Sequence, residues 1–283
     1  MKSLRIGCVK YLNARPLIHG WEGDVDFDHP SALCRRLATG ELDVALVSSF
    51  EFLRNPIYRI VDDVSISSNG PVYSVIVAHR GEMTEVEEIE LDPASETSVN
   101  LLRCLLAERG LKPRLIRNID LQSVRPADLE PAVPGAAENT SAGRTGKMPM
   151  FPTARHAQLL IGDQAIRFRQ KHANEFSFWD LGEQWKKLVS LPFVYALWLV
   201  RPEVTNPEQI ANRLRAVRDQ NLANLDGLIA AQKEFDREFL SRYYRQHLRF
   251  NFGENEKEGL RVFANLCIKH GLPKKGDLAF NLV

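Results

Sequence analysis

The first fifty residues alternate extended and helical signals in an order that leaves few folds open. Leu4 to Val9 is an apolar run of strand length, and Leu42 to Val47 is another. Between them Ser31 stands where a helix cap belongs, Leu33, Cys34 and Leu37 share one helical face, and Gly40 follows where a helix would end. Two strands joined by a compact helical crossover pair in parallel, and a parallel sheet gathers ligands beyond the carboxyl ends of its strands. The loop carrying Tyr11, Asn13, Arg15 and Pro16 leaves the first such end, and Ser48 and Ser49 leave the second.

The rest of the chain extends this pattern. Asn69, Gly70 and Pro71 predict a tight turn before an apolar strand from Val72 to Ala78, which carries Ser74. After the polar stretch His79 to Glu90, a helix is expected from about Ser98 to Arg109. It has Leu101, Leu102, Leu105 and Leu106 on its buried face, Ser95, Thr97 and Ser98 at its start and Gly110 at its end. Residues 125 to 155 are rich in Pro, Ala, Gly and small polar side chains without helical or strand period, which reads as a mobile surface insertion. Leu159 to Ile161 then lead into Gly162 and Asp163 and a helix around Ala165 to Lys171. Leu191 to Val200 is long enough to run from one lobe to another. Asn206 and Pro207 open a mostly helical final third, with amphipathic segments over 235–247 and 255–270.

A chain of 283 residues exceeds one ordinary core, so two lobes with a cleft between them are expected. The boundaries suggested are 1–79 together with 194–283 for a discontinuous first lobe, and 80–193 for the second, with 125–155 inserted in it.

Composition narrows the function. A net charge of +1 supplies no field for a polyanion, so nucleic acid is not an expected partner. No apolar stretch approaches the roughly 20 residues that span a bilayer. The start of the chain lacks the long apolar core of a secretion signal, and cytoplasmic residence is the expectation. Cys8, Cys34, Cys104 and Cys267 are scattered in apolar segments without metal-ligand spacing, so they read as buried thiols, and no metal or cofactor is expected. The seven histidines form no catalytic constellation, Trp179, Trp185 and Trp198 read as core, and Asp163 reads as a loop cap in preference to a pocket acid.

Several segments together carry a family resemblance. GCVKYLNARPL (7–17), GELDVALVSSFEFL (40–53), SNGPVYSV (68–75), ETSVNLL (96–102), LIGDQA (160–165), DLGEQWKKLVSLPFVYALW (180–198) and EKEGLRVF (256–263) resemble, in order, the chorismate dehydratases of the futalosine route to menaquinone. The stretch 125–155 is longer than the family pattern. The resemblance implies an α/β fold of the type II periplasmic-binding-protein class. It also implies an enzyme that removes water from chorismate to give 3-[(1-carboxyvinyl)oxy]benzoate without a redox cofactor.

By the same resemblance Asn13, in the Tyr-Leu-Asn segment, and Ser74, in the Gly-Pro-Val-x-Ser segment, are the expected catalytic or orienting residues. Chorismate carries two carboxylates. The helix start at Ser95, Thr97 and Ser98 offers N–H groups and hydroxyls that serve equally as caps or as anion donors, with Ser49 a further candidate from the first lobe. Alternatives are the 1,4-dihydroxy-6-naphthoate synthase of the same pathway, against which the Tyr-Leu-Asn segment argues, and a non-catalytic solute-binding protein.

Overall fold

The computed structural model describes residues 4–92, 94–117, 155–272 and 278–283. Its strands are β1 (Ile6–Cys8), β2 (Val25–Phe27), β3 (Val44–Ser48), β4 (Arg59–Ser68), β5 (Val75–His79), β6 (Glu88–Leu91), β7 (Arg114–Arg117), β8 (His156–Ile161), β9 (Ser177–Asp180) and β10 (Phe193–Val200). They form two five-stranded sheets, in the orders β2-β1-β3-β10-β4 and β7-β6-β8-β5-β9. The early β-α-β signal is realised as parallel pairing of β1 with β2 and with β3. β10 then enters between β3 and β4, antiparallel to both. Its sequence FVYALWLV has the near-continuous apolar character of a strand covered on both faces.

Helices α1 (Pro30–Ala38), α2 (Ser49–Arg54), α3 (Glu96–Glu108), α4 (Gly162–Lys171) and α5 (Leu181–Val189) follow individual strands. α6 (Pro207–Ala223), α7 (Leu225–Ala230), α8 (Arg237–Arg242) and α9 (Glu254–Lys269) make up most of the final third. α3 matches the expected helix closely: Ser95 caps it through a hydrogen bond from the Ser98 N–H. α1 begins one residue before the expected cap, because Pro30 takes the first helical position and needs no donor there. The segment 235–247 is one pattern in the sequence but two structures: α8 ends at Arg242 and a π-helical turn, Tyr243–His247, continues it.

One assignment is corrected. The strand carrying the end of the Val72–Ala78 run was expected in the first lobe, but β5 pairs with β8 and β9 in the second sheet. The chain changes sheets after β4, through a turn in which Tyr73 adopts φ 69°. An apolar run specifies a buried strand without specifying its neighbour. The expected insertion at 125–155 lies outside the described residues except for Arg155. All four cysteines are buried, as expected. Among the described residues no helix is long and apolar enough to cross a membrane.

An aromatic cluster binds α5, β10 and α9 together: the Trp185 ring lies 5.0 Å from Phe193, and Phe193 lies 5.0 Å from Phe263. The Trp185 indole N–H donates to the Pro192 carbonyl at 3.2 Å. That carbonyl faces Gly259 so closely that an added Cβ would sit 2.1 Å from its oxygen. Because the oxygen is already held by the indole, it has little room to retreat. Gly259→Ala is therefore expected to destabilise the protein by about 1–3 kcal/mol, the usual range for overpacking, read as a lower urea midpoint with an unchanged slope.

Candidate active site

The carboxyl ends of β1 and β3 face the start of α3 and the β8–α4 junction across a cleft. Val9, Tyr11, Asn13, Leu46, Ser48, Ile66, Val72, Ser74, Ser95, Ser98, Ile161, Gly162 and Tyr195 are among its lining residues. About 550 Å³ of atom-free space, open solvent included, lies between these residues. The lining combines aliphatic walls with hydroxyls and one amide, and among the described residues it contains no Asp, Glu, Lys, Arg or His. The cleft thus binds through neutral donors and acceptors in a largely apolar setting, where each hydrogen bond is electrostatically stronger than in water.

Asn13 sits on a 3-10 turn, Leu12–Leu17, directly after β1. Pro16 disfavours a longer helix there, and the turn is held from three sides. Leu12 N–H donates to Asp163 Oδ1 at 2.9 Å, and Tyr244 donates to the Leu12 carbonyl at 2.9 Å. Asn221 Nδ2 donates to the carbonyls of Pro16 and His19 at 3.1 and 2.8 Å. With its backbone fixed, Asn13 turns its amide to the cleft, and its Oδ1 is buried without a hydrogen-bond partner. A buried, unpaired carbonyl oxygen costs about 1–3 kcal/mol, so a donor reaching it from the cleft would be stabilising.

Ser74 lies on the opposite side of the chain's sheet change. Its carbonyl accepts from Gly162 N–H at 2.8 Å, and its hydroxyl accepts from Tyr243 at 2.8 Å. Gly162 has φ +61°, and a Cβ there would meet the Tyr11 ring at 3.1 Å, so the Gly-Asp pair after β8 is a close-approach point. The strained Tyr73 preceding Ser74 is pinned by Asp180, whose carboxylate accepts from the N–H groups of Val72 and Tyr73 at 3.0 and 2.8 Å.

The expected binding hydroxyls divide. Ser95 and Ser98 line the cleft with Asn13 and Ser74. Ser49 and Thr97 do not: both are fully buried behind its wall, where Ser49 Oγ donates to the Val194 carbonyl at 2.7 Å and Thr97 Oγ1 accepts from Phe50 N–H at 2.9 Å. Their place is taken by Ser48, which lines the cleft, hydrogen-bonds the Thr97 hydroxyl and accepts from Thr97 N–H at 3.0 Å. Ser48 ends β3 while Ser49 is the first residue of α2, so the two hydroxyls leave the backbone in different directions. The N–H groups of Thr97 and Ser98 are thus already capped by Ser48 and Ser95. The positive end of α3 reaches the cleft through serine hydroxyls. Sequence reasoning also missed Tyr195, whose phenol is pushed well above its usual pKa by burial and which shares a 3.3 Å contact with Ser68 Oγ. Nothing in its local pattern distinguishes it from a core tyrosine.

Two sheets flanked by helices, with a polar cleft at the strand ends, define a periplasmic-binding-protein-like fold. Solved structures agree: a protein from Archaeoglobus fulgidus superposes with a TM-score of 0.64 at 15% identity over 95% of this chain and 97% of its own. The periplasmic aliphatic sulphonate binding protein of Escherichia coli superposes with a TM-score of 0.59 at 13% identity over 97% and 90%. The profile of a menaquinone biosynthesis family matches residues 4–133 and 138–269, and the chain belongs to that family. A curated relative, the chorismate dehydratase of Thermus thermophilus, is 29% identical over 293 aligned positions, covering 96% of this chain and 97% of that protein.

Asp163 is an acid close behind the cleft's key loop. Burial raises its carboxyl to a pKa of about 6, opposed by the hydrogen bond from Leu12 N–H and by nearby Arg167 and Arg15. The folded protein therefore holds this proton more tightly than the unfolded chain does. The group's favourable contribution is present at acidic pH and is lost as pH rises from near 4 through 6, leaving a buried charge above that. Asp163→Asn keeps an acceptor for Leu12 N–H without that charge. The variant is expected to be more stable than wild type at pH 7.5 by about 1–3 kcal/mol, with the difference vanishing towards pH 4 in thermal melts across the range.

Proposed function

We propose that this protein is a chorismate dehydratase, a carbon–oxygen hydro-lyase of the futalosine route to menaquinone, acting in the cytoplasm. The observation that carries the reading is that Asn13 and Ser74, distant in sequence and singled out by different motifs, face one uncharged cleft. The family membership and the full-length similarity to a chorismate dehydratase support the same substrate.

The reaction asks little of the protein beyond orientation and charge stabilisation. The hydrogen on the ring carbon bearing the enolpyruvyl ether leaves as a proton. The hydroxyl on the adjacent carbon leaves with its C–O electron pair, and the ring becomes aromatic as water forms. Aromatisation supplies much of the driving force from the substrate itself, so a preorganised set of neutral donors suffices where a strong protein base would otherwise be needed. In this reading Ser48, Ser95 and Ser98 receive the substrate's carboxylates at the positive end of α3. Asn13 Oδ1 accepts from the substrate's single hydroxyl and so orients it, and Ser74 donates to that same oxygen as it departs. The lobes are those built around the two sheets, with β5 counted in the second, and their closure over the substrate excludes water from the cleft.

Purified protein incubated with chorismate alone is expected to consume it and release 3-[(1-carboxyvinyl)oxy]benzoate, followed by the absorbance of the aromatic product and by chromatography. Asn13→Ala and Ser74→Ala are each expected to lower kcat about 10²–10³-fold, as for loss of one preorganised polar contact, with melting temperatures close to wild type. Absence of product from the unaltered protein overturns the reading.

A further inference from the structure

We propose that Tyr243 is a positioning residue of this site, which sets the Ser74 hydroxyl as a hydrogen-bond donor towards the bound substrate. The inference rests on the reading of the cleft as a chorismate site. Tyr243 is fully buried and lies behind Ser74, outside the cleft lining. Its ring stacks on Phe239 at 5.6 Å and 14°, and its hydroxyl donates to Ser74 Oγ at 2.8 Å. Burial holds the phenol well above its usual pKa, the Ser74 bond opposing this, so it remains a donor at physiological pH. A serine oxygen that accepts from a fixed phenol has a lone pair occupied and is a poorer base, while its own O–H is polarised outward. Within the protein that O–H has only the Val72 carbonyl at 3.5 Å, at the edge of hydrogen-bonding range, so turning to a ligand in the cleft forfeits little.

The surrounding turn is built for this placement. Tyr243 opens the π-helical turn Tyr243–His247, whose wider winding interrupts the regular helical stacking of α8. The next residue, Tyr244, donates to the Leu12 carbonyl at 2.9 Å, and His247 Nδ1 donates to the Pro71 carbonyl at 2.9 Å. One five-residue turn therefore fixes the loop bearing Asn13, the turn leading to β5 and the hydroxyl of Ser74 relative to one another.

The test is a cycle of Tyr243→Phe, Ser74→Ala and the double variant, with kcat and KM for chorismate measured at steady state. Single-turnover reactions with enzyme in excess keep the slow variants readable. Tyr243→Phe is expected to lower kcat about tenfold with KM within about threefold of wild type, and to have no further effect once Ser74 is alanine. A loss of packing alone would instead carry the same factor into both backgrounds. That result, or a wild-type kcat for Tyr243→Phe, overturns the inference and leaves the functional reading standing. A wild-type protein that leaves chorismate unchanged overturns both.

Discussion

The carboxylate of Asp180 is the interaction on which the cleft depends. Only 2% of its side chain is exposed, so leaving it unpaired would be costly, and five donors meet it. Gly182 and Glu183 N–H donate to Oδ1 at 3.1 and 3.2 Å and start α5. Val72 and Tyr73 N–H hold the turn out of β4, and Arg169 pairs with Oδ2 at 3.2 Å while its guanidinium lies 4.2 Å from the Tyr73 ring centre. A single buried charge thus caps a helix and holds Tyr73 at positive φ. It also commits the following strand to the second sheet. Ser74 faces the cleft because that turn is made in this way and no other.

A similar logic governs the opposite wall. The Leu12–Leu17 turn has too few internal hydrogen bonds to stand alone, and it borrows partners from α4, α6 and the π-helical turn. Those partners take up the Leu12 N–H and the Leu12 and Pro16 carbonyls, and the Asn13 amide oxygen is buried without a partner among the described residues. Ser48, Ser49 and Thr97 show the same economy, one hydroxyl facing the cleft and two sealing the contact between α2 and α3.

For the dianionic substrate proposed above, in a cleft whose described lining carries no charged side chain, α3 offers a counterpart. Hydroxyls at the start of a thirteen-residue helix lie in its positive field and carry donors of adjustable direction.

The sequence by itself determined five of the ten described strands, β1, β3, β5, β8 and β10, and most of the helices. Each of these follows from local rules: apolar period, capping residues, glycine where a turn demands it, and the placement of loops at strand ends. Asn13 and Ser74 entered instead through the family resemblance of the segments that carry them. Only the tertiary structure decided which sheet received β5, since an apolar strand pairs with whatever edge its turn presents. It also decided that Ser48 lines the cleft and Ser49 does not, because Ser48 ends β3 whereas Ser49 opens α2 and turns its hydroxyl to the Val194 carbonyl. Tyr243 and Tyr244 were invisible for the same reason at longer range: their partners, Ser74 and Leu12, lie 169 and 232 residues away, and no local pattern records a contact that only the closed fold creates.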